Sequence, residues 1–475
     1  MNILKGIKDY RLLNYNMYRM TPVELKAYQL TEIQRLVNYA KEKSPFYSTL
    51  YHKLWDKNNL DHAGQIDQNM PGCFDINSFF NLPIINKQIM MDHFDELNTC
   101  GIKKTEALAF ALNQEFSGDY SGYFKQDYVV GLSSGTSGNK GVFITPREMT
   151  ERLPFVFLAR GGIPLAYLPF RILFLLRVFS QGFSDINGPF IKLSYKSTMT
   201  APDELIKMIN GQKINIIMAP PSMLRILIAQ ASKIHHRIKI IVSYAEVLEK
   251  EEKARIEKAF NCSVHEIYQA SEGQIGSTCR CGKLHINEDL VFVELYDASG
   301  KAVEEPGIIA DKMLVTNLVN WAQPLIRYEM NDMIILGDKC ACGSAFRVIE
   351  KVLGRHDDVL YLQTTQGDIK PVFPDLFARW IITTDDRIRE FKVVQKTIEA
   401  LEIVIDLDTD LKGMSDVGEI PARLNDSEEI LKKLSNRIEM ELAGFDIRCK
   451  TSITFRKISL PAKMSKYKRF ESLPK

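Results

Sequence analysis

The chain has 475 residues, 45% hydrophobic and 25% charged, a balance that excludes an intrinsically disordered or collagen-like protein. Its 61 basic and 59 acidic side chains leave a formal net charge of +2, which gives no footing for a general nucleic-acid or membrane-surface binder. At about 150 residues per domain the length suits roughly three domain-sized units. The most apolar stretch, residues 163–183, is interrupted by Arg171 and Arg177, so no spanning segment of about 20 apolar residues is read. Residues 1–6 lack the apolar run and small-residue cleavage site of a signal peptide, and a cytoplasmic location is expected.

Taken in chain order, Thr21-Pro22-Val23-Glu24 has the form of a capping box with proline at the first helical position. Leu25, Ile33, Leu36, Val37 and Ala40 follow at helical spacing, and Ser44-Pro45 stops the helix. Residues 50–75 read as surface connection. An apolar run at 127–132 ends in a Ser/Gly/Thr loop, and 172–179 is a second run. Residues 203–210 read as a helix, 214–218 as a buried strand, and Pro221-Ser222 opens another helix. A strand at 239–242, a charged amphipathic helix at 248–260 and a strand at 264–268 follow. The charges of residues 249–258 are expected on a solvated helix face. Strands alternating with helices predict an α/β domain with parallel sheet. Beyond it, paired strands at 391–395 and 400–406, a helix at 427–442 and a strand at 448–455 predict a small α+β unit. The polar stretch Gly354-Arg355-His356-Asp357-Asp358 suits a hinge between domains 1–356 and 357–475. No internal repeat is present.

The strongest chemical signal is Ser133-Ser134-Gly135-Thr136-Ser137-Gly138-Asn139-Lys140-Gly141 after an apolar strand. Glycines let backbone amides approach an anion, and hydroxyls add donors, although the order is not that of a Walker loop. Tyr268-Gln269-Ala270-Ser271-Glu272-Gly273 follows another strand, where α/β folds place ligands. Its aromatic ring, hydroxyl and carboxylate suit base stacking, a phosphate contact and a Mg²⁺ ligand. Arg327-Tyr328-Glu329-Met330-Asn331-Asp332 offers a carboxylate for sugar hydroxyls, and Ser465-Lys466-Tyr467-Lys468-Arg469 places cations near the C-terminal end. Two close cysteine pairs, Cys279/Cys281 and Cys340/Cys342, each precede a glycine, and His285 follows the first. In a reducing compartment such pairs read as metal ligands before disulfides, with unliganded thiols the plain alternative.

In this order the motifs resemble the adenylate-forming superfamily of acyl-CoA ligases and peptide-synthetase adenylation domains. Within it the chain is most similar to the phenylacetate-CoA ligase branch, through Ser44-Pro45-Phe46-Tyr47 and Leu82-Pro83-Ile84. The nearest likeness is to a subgroup related to deazaflavin-coenzyme adenylyltransferases, through Ser243-Tyr244-Ala245-Glu246-Val247-Leu248-Glu249, Ile267-Tyr268-Gln269-Ala270-Ser271-Glu272-Gly273 and Leu284-His285-Ile286-Asn287-Glu288-Asp289. The likeness covers nearly the whole chain and specifies adenylate formation, not the substrate. It implies a large N-terminal adenylation domain of layered sheets and helices and a mobile C-terminal domain.

The resemblance also implies roles. Ser133, Ser134, Gly135, Thr136, Ser137 and Gly138 would hold the β- and γ-phosphates of ATP. Tyr268 would stack on adenine, with Ala245 and Glu246 near the base. Ser271 would contact phosphate, Glu272 would bind Mg²⁺, and Asp332, aided by Arg355, would bind the ribose. Asp357 would be the hinge, and Lys466 would bridge the acid's carboxylate and the α-phosphate. The branch pattern implies a closed, structural zinc site of Cys279, His285, Cys340 and Cys342, with Cys281 the alternative fourth ligand. Three departures stand out: Ser465 replaces a glycine, leaving Lys468 open as the catalytic lysine; Asn331 replaces a glycine; and Asn139-Lys140-Gly141 replaces a Pro-Lys ending.

The expected activity is ATP-dependent activation of a carboxylic acid, aromatic by resemblance, as acyl-AMP, followed by capture on coenzyme A or a carrier protein. The alternatives are transfer of AMP to a hydroxyl of a phenolic or deazaflavin-like acceptor, and non-catalytic nucleotide binding. No nucleic-acid or membrane partner is expected, and a homodimer is left open.

Overall fold

A computed structural model describes residues 3–52, 76–117, 122–133, 141–161, 163, 167–176, 187, 190–198, 200–385, 387–407, 420–458 and 468–473. The fold is mixed α/β. Two compact units form: Met1–Met199 with His265–Met330 and Ile335–Lys351, and Thr200–Val264 with Asn331–Ile334 and Val352–Lys475.

In the first unit, helix Ile3–Tyr18 precedes helix Pro22–Lys43. The second opens on the expected capping box: the Glu24 N–H donates to the Thr21 hydroxyl, and the Thr21 N–H donates to the Glu24 carboxylate. Leu25, Ile33, Leu36, Val37 and Ala40 are its buried stripe. Helix Ile3–Tyr18 packs Leu13 against Val156 and Ala159 of helix Arg147–Gly161. Strands Tyr128–Leu132 and Val142–Pro146 form an antiparallel hairpin around the Ser/Gly/Thr loop. Strands Phe170–Leu176 and Ile191–Ser197 pair in parallel. From Ser263–Ala270 onward the pairing in this unit is antiparallel: to Gly273–Thr278, then to Leu284–Ile286, which pairs in turn with Val348–Arg355. Strands Val291–Tyr296, Lys312–Asn317 and Tyr328–Met330 make a separate antiparallel sheet. The expected parallel pairing is thus present at Phe170–Leu176 with Ile191–Ser197; from Ser263–Ala270 onward strands follow one another through two-residue or knuckle turns, with no crossover helix to allow it.

The motif Asn287-Glu288-Asp289 is a set of structural posts. Asp289 is fully buried and pairs with the buried Arg160 at 2.5 Å, while Asn16 donates to its other oxygen at 3.0 Å. Glu288 accepts from Arg347 Nε at 2.7 Å, and the Asn287 amide donates to the Gln274 carbonyl and the Ser277 hydroxyl.

In the second unit, strands Ile216–Ala219 and Ile240–Tyr244 pair in parallel, separated by helix Pro221–Ala229 and followed by helix Lys250–Phe260. The α+β part matches its expectation. Strands Ile388–Thr397 and Ala400–Leu407 are an antiparallel hairpin, with Lys450–Phe455 and Phe470–Glu471 added in parallel at its two edges. Helix Ile420–Gly444 packs Ile430, Leu434, Ile438 and Leu442, four residues apart on one face, against Trp380, Phe391 and Ile403.

The charged helix Lys250–Phe260 departs from its expectation. Glu252 is buried, because Arg225 enters the same space and pairs with it. Arg225 also reaches Glu390 at 3.5 Å, and Arg469 donates to Glu390 at 2.7 Å and to Glu246 at 3.1 Å. Among the described residues, no helix is long and apolar enough to cross a membrane.

Candidate functional site

The loop residues Ser134, Gly135, Thr136, Ser137 and Gly138 lie outside the described residues, as does Lys466. The neck of the loop is defined. The Ser133 N–H donates to the Gly141 carbonyl at 2.8 Å, and the Gly141 N–H donates to the Ser133 hydroxyl at 3.0 Å. A Cβ at Gly141 would meet that hydroxyl at 2.8 Å, so glycine is required for the closure. Among the described residues, the strand leaving the loop has no strand partner on its outer edge. Side chains replace one: Gln323 accepts from the Ile144 N–H and donates to the Val142 carbonyl, and Asn320 donates to the Ile144 carbonyl.

Tyr268 sits half-buried next to a register shift in the hairpin of Ser263–Ala270 and Gly273–Thr278, opposite Gly276. Irregular pairing of this kind re-aims side chains at functional sites. Ser271 is exposed at the turn, and Glu272 is half-buried beside it. Glu272 has a neighbour that sequence reasoning did not single out. Burial pushes the Tyr328 phenol far above its ordinary value, and the Glu272 carboxylate, hydrogen-bonded to it, adds to the shift. Tyr328 therefore stays protonated and can donate to Glu272. One carboxylate in a partly open turn fits Mg²⁺, which takes few protein ligands and completes its shell with water and substrate phosphates. Arg327, by contrast, is a buried post: its guanidinium donates to both Glu294 oxygens, at 3.0 and 2.9 Å, and to the Phe80 and Leu82 carbonyls.

The second unit carries Ala245, Glu246, Asp332, Arg355, Asp357 and Lys468. Ala245 follows strand Ile240–Tyr244 in the left-handed region, at φ 66°. That conformation is costly for a residue with a Cβ, and such positions cluster at ligand sites. The Glu246 carboxylate accepts from the Ser222 hydroxyl at 2.7 Å and the Ser222 N–H at 3.1 Å, as well as from Arg469. Asp332 and Arg355 come together, 3.7 Å apart. Asp357 accepts from Asn331, and its carbonyl accepts from the Ser472 hydroxyl. Lys468 pairs with Asp358 at 3.5 Å. Burial raises the Asp358 carboxyl, and Lys468 opposes the shift.

The sulfur and nitrogen ligands converge in the first unit. Donor atoms of Cys279, His285, Cys340 and Cys342 lie within 4.8 Å of one another, whereas Cys281 is exposed. Cys279 and Cys340 sulfurs are 3.7 Å apart, and the Cys342 sulfur is 3.6 Å from His285 Nε2. A tetrahedral Zn²⁺ with Zn–S bonds near 2.3 Å and Zn–N near 2.0 Å puts sulfurs about 3.8 Å apart and a sulfur–nitrogen pair about 3.6 Å apart. The local chain explains the arrangement. Gly282 and Gly343 take left-handed backbone at φ 79° and 80°, turning each pair into a knuckle. The Cys281 and Cys342 N–H groups then point at the sulfurs of Cys279 and Cys340. His285 is fully buried, and its Nδ1 lies 2.8 Å from the Phe346 carbonyl, which can only accept. The proton therefore sits on Nδ1, and Nε2 presents a lone pair to the sulfurs. Burial holds His285 below its ordinary value, so it is neutral. Burial also pushes Cys342 up to about 12 and raises Cys279, whereas at Cys340 burial is outweighed by hydrogen bonds, which lower it, so the first two need a cation to ionise.

Comparison with family models and with curated proteins gives no match. Solved structures do match. 2-Hydroxyisobutyryl-CoA ligase in the postadenylation state, in complex with 2-HIB-AMP, aligns with a TM-score of 0.68 at 16% identity, over 97% of this chain and 91% of that one. The same ligase in an open conformation with 2-HIB-AMP and CoA gives 0.53 at 15% identity, over 97% and 93%. In its thioesterification state it gives 0.53 at 16%, over 96% and 91%. At this identity the likeness speaks to architecture, and the chain has the adenylate-forming ligase fold of that enzyme.

Proposed function

We propose that the chain is an ATP-dependent ligase that converts a carboxylic acid to its acyl adenylate with release of pyrophosphate, then passes the acyl group to coenzyme A. The observation that carries this reading is the likeness, over 97% of the chain, to a ligase solved with its acyl adenylate. The residue pattern agrees with it. Ser133 to Gly138 take the β- and γ-phosphates, Tyr268 stacks on adenine beside Ala245 and Glu246, Ser271 contacts phosphate, and Asp332 with Arg355 binds the ribose. Glu272 holds Mg²⁺, which supplies positive charge to the phosphates.

A carboxylate attacking an α-phosphate brings anions together, so the work of the protein is positional and electrostatic. Tyr328 keeps Glu272 oriented. Lys466 supplies the cation between the acid and the α-phosphate. Lys468 is the weaker choice, since Asp358 already engages it. In this reading residues 357–475 turn about Asp357 between the two half-reactions, and Cys279, His285, Cys340 and Cys342 hold a structural zinc. The enzyme works in the cytoplasm, and aromatic acids are the first to try, on the motif likeness to the phenylacetate-CoA ligase branch.

The test is exchange of labelled pyrophosphate into ATP across aryl and aliphatic acids, without thiol. Acid-dependent exchange supports the reading and names the substrate class. Exchange with none of the acids, together with a stable AMP ester on a phenolic acceptor, overturns it.

A further inference from the structure

Asn317, Asn320 and Gln323 are buried carboxamides three residues apart at the end of strand Lys312–Asn317 and in the segment after it. Two of the amides, Asn317 and Asn320, are fixed in orientation by their own segment. The Asn317 side-chain oxygen accepts from the Val319 and Asn320 N–H groups, and the Asn320 side-chain oxygen accepts from the Gln323 N–H. What remains points outward. Asn317 Nδ2 donates to the Glu272 carbonyl at 2.8 Å. Asn320 Nδ2 donates to the Ile144 carbonyl at 2.8 Å, and Gln323 accepts from the Ile144 N–H at 2.7 Å and donates to the Val142 carbonyl at 3.1 Å. Gly273 keeps the Asn317 end close, since a Cβ there would come within 3.2 Å of Asn317 Nδ2.

We infer that these three side chains are positioning residues, a ladder that fixes the Glu272 turn relative to the strand entering from the Ser133–Gly141 neck. The inference rests on the reading of that neck and of Glu272 as the phosphate and Mg²⁺ ends of a nucleotide site. Helices and strands hold each piece, but among the described residues these amides are the polar link from one to the other. A shift of the Ile144 strand against Glu272 changes how MgATP is seated, not how the acid is.

The experiment measures acid-dependent pyrophosphate exchange in wild type, Gln323→Leu and Gln323→Glu, with MgATP and acid varied separately. Gln323→Leu fills similar space and loses both hydrogen bonds to the hairpin. Its KM for MgATP is expected to rise about tenfold, with the acid KM within twofold of wild type. Gln323→Glu is the conservative partner. Its carboxylate can accept from Ile144 but cannot donate to Val142 until protonated, and burial raises its pKa. Its MgATP KM is expected to be about tenfold above that of wild type at pH 8.5 and within twofold of wild type at pH 6. A merely structural role lowers melting temperature and active fraction and leaves both KM values alone; that result overturns the inference. Should Gln323→Leu fail to fold, a pH-independent wild-type KM in Gln323→Glu does the same. A wild-type protein without exchange for any acid overturns the functional reading, and this inference with it.

Discussion

Removing the zinc proposed for the four-ligand cluster is the perturbation with the clearest magnitude. Cys279 and Cys340 are 61 residues apart in sequence, so an ion held by both closes a long loop. Treated as a cross-link, closing about 60 residues removes roughly 4 kcal/mol of unfolded-chain entropy at 25 °C. At 2–4 °C per kcal/mol for larger domains, chelation is expected to lower the melting temperature by about 8 °C or more. The effect concentrates at the N-terminal helices, because Met17 and Leu25 pack directly on Cys279, Cys342 and Phe346. The assay is elemental analysis of the purified protein, with thermal unfolding before and after a strong chelator and after zinc is restored. His285→Ala and Cys340→Ser are expected to lose the metal, and Cys281→Ser to keep it. A protein without stoichiometric zinc and with no chelator-dependent shift would refute the geometric argument. So would equal metal loss in Cys281→Ser, since that side chain faces solvent.

Other outcomes follow from the same geometry. Arg225→Ala strips a cation from the buried carboxylates of Glu252 and Glu390 and should cost about 3–5 kcal/mol in chemical denaturation. Burial disfavours the Glu390 charge, but Arg469 and Arg225 more than compensate and hold the carboxyl below its ordinary value. Its stabilising share is therefore complete above the unfolded value of about 4.3 and disappears as pH falls through the lower folded value. Glu390→Gln should flatten the acid limb of the stability profile, and an unchanged limb would count against the pairing. Lys466→Ala should lower acid-dependent exchange at least ~100-fold, while Lys468→Ala should retain most of it; the reverse order would reassign the catalytic lysine.

Local signals were readable wherever neighbours in sequence do the work. The Thr21–Glu24 capping box, the four-residue spacing from Ile430 to Leu442 and the two Cys-x-Cys-Gly knuckles all involve contacts within a few residues. What escaped depends on distant partners. Nothing near Glu252 announces Arg225, so the helix reads as solvated until the tertiary fold brings that cation in. Asn320 and Gln323 look like loop polarity until Ile144, 176 and 179 residues away, supplies a strand edge, and Asn317 does until the Glu272 carbonyl, 45 residues away, meets it. Tyr328 was visible only as part of a motif, and its place beside Glu272 requires strands to meet. The His285 ligand followed from family likeness; the structure adds the Phe346 carbonyl that fixes its tautomer.

The cluster of Arg225, Glu252, Glu390, Arg469 and Glu246 carries a consequence for how the C-terminal segment can be handled. Two guanidinium groups face three carboxylates there, and Arg469 is the member contributed by the last described strand region. Releasing Arg469 would strand buried carboxylates and also pull its neighbour Phe470 out of the apolar core against Phe391. Dissolved salt screens exposed pairs strongly and buried ones such as Arg225 with Glu252 and Glu390 far less. The C-terminal segment is thus moored by a knot that ionic strength loosens little, and Arg469 is the cleat.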